Sequence, residues 1–171
     1  MQETAYIGFG SNMGDLHKNF LQAQKYLGTH PQIELLRTSN AYQTEPLTKE
    51  TTEKQSWYLN AVFEITTSLT IRELFASLQN IEKSMGRTSQ KKRWQPRILD
   101  LDILFYGQFV YQDDKLNIPH KELIHRHFVL KPLCDLIPDF IHPELQLTLQ
   151  ELSDYTTDQL KVTPFIDERT A

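Results

Sequence analysis

This sequence is poor in cysteine, in glycine and in long apolar runs, and each shortage removes a class of protein. Cys134 is the single cysteine among 171 residues, so no disulfide can staple the chain and a reducing cytoplasm is the expected setting. No stretch approaches the roughly 20 consecutive apolar residues of a membrane helix. The opening MQETAYIGFG lacks the basic start and apolar segment of a secretory signal. Lys and Arg number 18 against 22 Asp and Glu, a net charge of −4. That balance argues against a general nucleic-acid binder, whose affinity comes from an excess of cations over phosphates. Any anion site must therefore be local.

Several familiar signatures are also missing. GFGSNMG resembles a dinucleotide turn, but its glycines at 8, 10 and 14 are one residue too far apart for G-x-G-x-x-G, and no parallel β-α-β series follows. There is no P-loop and no protein-kinase H-R-D or D-F-G. HRH at 125–127 has neither Cys partners nor an H-E-x-x-H pattern, which argues against zinc.

The sequence does hold the makings of one globular domain over residues 1–171, with 39% hydrophobic and 23% charged residues. Its core is expected over about residues 4–143, with a tail mobile after about residue 155. TAYIGFGS (4–11) alternates as a strand does. Leu16, Phe20, Ala23 and Leu27 follow at helical spacing, with Asp15 as N-cap and Gly28 as stop. Residues 32–44 and 57–68, rich in β-branched and aromatic side chains, read as two strands joined by a polar loop. Thr70 and Glu73 form a capping box ahead of Leu74, Leu78, Ile81 and Met85, and Gly86 ends that helix. RILDLDILFYG (97–107) reads as a strand again. The order β-α-β-β-α-β is that of a ferredoxin-like α+β fold, an antiparallel sheet with helices on one face. Residues 108–171, with a short strand expected at FVY (109–111), are C-terminal additions.

Strand alternation sorts residues onto two faces. Ala5, Ile7, Phe9, Leu59, Ala61, Phe63, Leu99, Leu101 and Ile103 belong to the helix side. Gly8, Gly10, Tyr58, Asn60, Asp100 and Asp102 share the other, a combination suited to a binding floor. Residues i and i+2 of a strand have Cα atoms about 6.5–7 Å apart and point the same way, so Asp100 and Asp102 project together. Such a pair can hold magnesium, which prefers oxygen ligands, keeps several waters and takes the rest from phosphates. An exposed strand with two solvated acids is the plainer reading. Against it stands the neighbourhood: Lys83, Arg87, Lys91, Lys92, Arg93 and Arg97 place six of the 18 cations within fifteen positions leading into the acids. A magnesium-bound polyphosphate matches both halves, since Arg forks grip phosphate oxygens.

YIGFGSN (6–12), TEPL (44–47), YLNAV (58–62), GR (86–87), RWQPRILDLDIL (93–104), IPH (118–120) and R-x-F (126–128) together resemble the 6-hydroxymethyl-7,8-dihydropterin pyrophosphokinases of folate biosynthesis. The resemblance implies a ferredoxin-like fold and transfer of the β,γ-diphosphate of ATP to the pterin hydroxymethyl group, releasing AMP. It implies a catalytic set of Arg87, Arg97, Asp100 and Asp102, with the two aspartates holding two magnesium ions. ATP would contact Gln79, Glu82, Arg87, Arg93, Arg97, Ile103, Lys115, His120, Lys121 and Arg126. The pterin would contact Thr44, Glu45, Pro46, Leu47, Tyr58, Asn60, Trp94 and Phe128. Ser89, Lys115 and Lys121 depart from residues found in other members. An aromatic sandwich plus an amide suits a purine nearly as well, so the choice of pterin rests on the resemblance. The long loops 45–56 and 86–97 are expected to close over nucleotide. ATP and the dihydropterin are the expected partners of a monomer, with no nucleic acid and no membrane. The alternative is an RNA-binding module, which the same fold supports, but the two acids on its open face would repel the backbone.

Overall fold

The computed structural model describes residues 1–46, 56–86 and 97–167. Strand β1 is Glu3–Ser11, helix α1 Leu16–Gly28, β2 Ile33–Thr38, β3 Tyr42–Thr44, β4 Tyr58–Thr67, helix α2 Ile71–Ser84 and β5 Asp100–Tyr106. The helix starts follow the local chemistry read above. Asp15 accepts from the Lys18 amide at 3.0 Å, and Thr70 and Glu73 cap each other's backbone as a box. Past the core come β6 (Tyr111–Gln112), β7 (Asn117–Ile118), α3 (His127–Leu136), α4 (Leu149–Tyr155) and β8 (Val162–Pro164).

Among the described residues six strands form one antiparallel sheet in the order β5-β1-β4-β3-β8, with β2 also on β4. The ferredoxin-like core is therefore present. The stretch expected as one strand over 32–44 is two, both paired to β4 and separated near Ser39, whose amide donates to the Val62 carbonyl. The strand expected at 109–111 is shifted: β6 begins at Tyr111, and Phe109 and Val110 are exposed. No helix among the described residues is long and apolar enough to cross a membrane.

The helix-side residues named from the alternation all join one buried cluster with Ala23 and Leu27 of α1 and Leu74, Leu78 and Ile81 of α2. The additions do more than decorate. Tyr6, Val62 and Leu104, on the opposite face, pack under Leu130 and Leu133 of α3 and Leu149 and Leu152 of α4. That second layer covers half of the face and leaves the end near Gly10, Asn60 and Asp100 open. A bulge helps, because the β1–β5 register skips Leu104 and turns both Leu104 and Phe105 into the second cluster.

The segment after α4, as far as Asp167, packs against the domain. Strand β8 pairs with β3, the Phe165 amide donates to the Ala41 carbonyl at 2.9 Å, and Asp167 contacts His17. The free edge of β3 supplies unpaired backbone groups, and Val162–Pro164 satisfies them.

Candidate active site

The open end of the sheet is a cleft whose floor is set by register. Gly10 of β1 lies opposite Asn60 of β4 on one side and Asp100 of β5 on the other, and Gly8 lies between Val62 and Asp102. With strands about 4.8 Å apart, an amide and a carboxylate stand roughly 9.5 Å apart across bare backbone. The bareness is needed: a Cβ on Gly10 would sit 3.2 Å from Asn60 Oδ1, and one on Gly8 3.3 Å from Leu104. Around this floor the lining is Thr44, Glu45, Tyr58, Arg97, His120, Arg126 and Phe128.

Each group is held by identifiable contacts. Asn60 is buried and donates through Nδ2 to the buried Thr44 hydroxyl, which fixes the amide's orientation. Burial raises the Tyr58 phenol's pKa, with Arg97 opposing and Asp100 adding to the shift. Arg97 Nη1 lies 2.8 Å from Asp100 Oδ2. The Arg97 backbone is clasped in turn by the chain after β1: its amide donates to Asn12 Oδ1 at 2.7 Å, and its carbonyl accepts from the Asn12 amide at 3.0 Å. The Ser11 hydroxyl donates to the Ile98 carbonyl. Arg126 stands over the Phe128 ring at 5.8 Å from its centroid.

Asp102 faces into the cleft with its side chain 43% exposed, yet below the protein's envelope. Removal from bulk water, then the like charges of Asp100 and Glu82, push its carboxyl up to about 7 against the counter-pull of Arg126 and Arg97. His120 Nε2 lies 4.0 Å from Asp102 Oδ2. Burial and Arg126 depress the His120 pKa, so the imidazole is neutral at pH 7; its Nδ1 accepts from the Glu122 amide at 3.3 Å, leaving the proton on Nε2, toward Asp102.

The donor set suits a hard divalent cation. Two carboxylates on one strand face repel each other, and a cation between them would relieve that repulsion. Among the described residues no cluster of three or more His, Cys, Asp or Glu forms a complete cage. An incomplete cage is what magnesium uses when phosphates and water supply its remaining ligands.

Of the residues singled out from sequence, Thr44, Glu45, Tyr58, Asn60, Arg97, Asp100, Asp102, His120, Arg126 and Phe128 meet in this cleft. Others do not line it. Glu82 is buried on α2 and accepts from the Leu101 amide at 2.8 Å, covering the outer edge of β5. Gln79 lies on α2 one turn earlier, and the Ile103 side chain is in the helix-side core. Leu101 directs its amide outward, so the backbone of Ile103, two residues on, faces the same free edge. Lys115 and Lys121 are exposed on loops, and Pro46 follows Glu45 outside the lining. Leu47, Arg87, Arg93 and Trp94, with most of the two long loops, lie outside the described residues. Reasoning from the sequence missed the clasp made by Ser11 and Asn12. Its signal was a polar pair at the end of an apolar strand, where burial demands partners.

The chain is similar to known proteins in sequence and in fold. The family profile described as 7,8-dihydro-6-hydroxymethylpterin-pyrophosphokinase matches residues 6–138. The chain is 35% identical over 157 residues to the 2-amino-4-hydroxy-6-hydroxymethyldihydropteridine pyrophosphokinase of Haemophilus influenzae, covering 92% of this chain and 96% of that protein. It is 38% identical over 136 residues to the Bacillus subtilis protein of the same name, covering 80% and 79%. The folic acid synthesis protein fol1 of Schizosaccharomyces pombe is 39% identical over 155 residues, but the chain spans only 21% of its length. It likewise spans 38% of the bifunctional protein FolKE of Lactococcus lactis. Among solved structures, the wild-type HPPK-DHPS of Plasmodium falciparum with pteroate superposes with a TM-score of 0.71 at 16% identity, over 90% of this chain and 42% of that one.

Proposed function

Because the chain belongs to the 7,8-dihydro-6-hydroxymethylpterin-pyrophosphokinase family, we propose that it transfers the β,γ-diphosphate of ATP to the hydroxymethyl group of 6-hydroxymethyl-7,8-dihydropterin. The observation that carries this reading is the row Asn60, Gly10, Asp100 across three strands. A flat heterocycle laid on the Gly10 backbone meets an oriented amide at one end and carboxylates at the other. Phe128 and Tyr58 supply faces for the ring, and the Asn60 amide, with Thr44 beside it, hydrogen-bonds its edge. The exocyclic alcohol then points toward Asp100 and Asp102.

These two aspartates would hold magnesium, as two ions bound with ATP, which when bound neutralises the triphosphate and stabilises charge on the transferring group. Arg97 and Arg126 line the same cleft and would face the phosphate oxygens, and Arg87 and Arg93 would join them. His120 offers its Nε2 proton to a phosphate oxygen. The adenine would lie at the outer edge of β5, against the Ile103 backbone and near Gln79 and Glu82, with Lys115 and Lys121 further out. Leu47 and Trp94, from the two long loops, would close the pterin side beside Glu45 and Pro46.

In the reaction the pterin oxygen forms a bond to the β-phosphorus while the bond from that phosphorus to the α,β-bridging oxygen breaks, AMP leaves, and the hydroxyl proton is released to solvent. The nucleophile belongs to the substrate. The protein's part is position and electrostatics, which fits a cleft whose described lining holds no serine or cysteine.

The test is product identity. With ATP, magnesium and the dihydropterin, AMP and a pterin diphosphate should form one to one, read by chromatography and phosphorus NMR. Formation of ADP, or AMP independent of the pterin, would overturn the assignment.

A further inference from the structure

We propose that the C-terminal segment after α4 is a strap that sets the spacing of the pterin side of the cleft, with Asp158 as its positioning residue. The inference rests on the reading that the cleft binds a dihydropterin. The segment lies beyond residues 6–138, the part matched to the family.

The argument begins at the first turn of α3. A helix starts with amides that have no partner within it, and a side chain at the N-cap normally accepts from one of them. The N-cap of α3 is Arg126, which has no acceptor and makes no capping hydrogen bond; its guanidinium stands over Phe128. The acceptor comes from 31 residues away. Asp158 Oδ2 accepts from the His127 amide at 2.8 Å, and its other oxygen accepts from Leu160 at 2.9 Å, which rigidifies the strap's own turn. The amide held in this way lies between Arg126 and Phe128, both residues of the cleft wall.

Three residues further on, the strap takes hold of Glu45, in another part of the lining. The Lys161 amide donates to Glu45 Oε2 at 3.0 Å, and the Glu45 amide donates to the Lys161 carbonyl at 3.2 Å. From there Val162 pairs with Thr44 in the β8–β3 ladder, and Phe165 anchors the end in the helix-side core. No strap residue lines the cleft. It therefore acts on substrate only through the residues it holds, joining the Arg126 and Phe128 part of the lining to the Thr44 and Glu45 part. The far end of α3 has a separate tie to β3, the Tyr42 hydroxyl donating to Asp135 at 2.7 Å.

Removing the cap should move the ring-stacking wall while leaving the two aspartates where they are. Steady-state kinetics on the full chain test this by separating substrates. Asp158→Ala should raise KM for the dihydropterin about tenfold and KM for ATP by less, since Arg126 adjoins the same amide, with kcat within about twofold of wild type. Asp158→Asn, which keeps one of the two accepting oxygens, should recover part of the loss. Tyr42→Phe removes a hydrogen bond at the other end of the same helix and serves as the control for plain destabilisation, with melting curves run on all three. Three results would overturn the inference: an unchanged pterin KM in Asp158→Ala, a rise that Asp158→Asn does not rescue, or an equal rise in Tyr42→Phe at equal melting temperature. Wild-type protein that forms no AMP would instead overturn the functional reading, and this inference with it.

Discussion

The two faces of the sheet are made by the same three strands and meet opposite fates. On the helix side Ile7, Phe63 and Ile103 are at most 1% exposed and join one apolar cluster. On the other side Gly8, Gly10, Asn60, Asp100 and Asp102 floor a cleft in which one carboxyl is driven far from its ordinary pKa. One alternation thus encodes both the core and the chemistry, and the polar register gives up stability to hold its charges together. The cleft face is itself divided, because α3 and α4 close over Tyr6, Val62 and Leu104 and leave only the strand ends open.

Substitutions on the two faces should separate turnover from stability. Asp100→Ala or Asp102→Ala should lower kcat by on the order of a thousandfold while the far-ultraviolet circular dichroism stays that of wild type. Unchanged turnover in either variant would remove the metal role. Phe63→Ala should do the reverse, costing about 3–5 kcal/mol in urea unfolding with the pterin KM unchanged in the folded fraction. Asn60→Ala, which removes the oriented amide and strands the Thr44 hydroxyl, should raise the pterin KM by about tenfold, corresponding to roughly 1.4 kcal/mol.

The smallest effect concerns pH. The Asp102 carboxyl rests at about 7 in the folded metal-free protein against an ordinary value of 3.8. Between those values the folded state keeps a proton that the unfolded chain has released, so stability falls as pH rises through that window and the deficit is complete above it. Asp102→Asn should therefore melt higher than wild type at about pH 8 in EDTA and coincide with it near pH 3. Equal melting at both would show that the carboxylate carries no such strain.

How much of this was legible depended on whether the signal was local. The capping box at Thr70 and the strand periods are written in adjacent residues, and they placed α2, β1, β4 and β5 and the D-x-D floor. The same capping signal stands at Thr148 and Glu151, where it begins α4, but the prolines around it obscured the reading. The second helical layer was illegible for a different reason. Which residues cover Tyr6 and Val62 is decided by contacts more than sixty residues apart. The tail is similar: V-T-P is too short, and ends in a proline, to read as a strand alone, and the open edge of β3 recruits it. Among the site residues, the alternation identified Asn60, Asp100 and Asp102. Arg126 and Phe128 came from the family resemblance, because a helix start beyond a loop carries no period linking it to the sheet.

The central claim, that Asp100 and Asp102 share divalent cations with the nucleotide's phosphates, is most directly tested by calorimetric titration with a nonhydrolysable ATP analogue. Wild type should bind it in magnesium and lose at least about tenfold in affinity in EDTA, while a variant carrying both Asp100→Asn and Asp102→Asn should bind weakly in either buffer. Equal affinity in all four titrations would contradict the account.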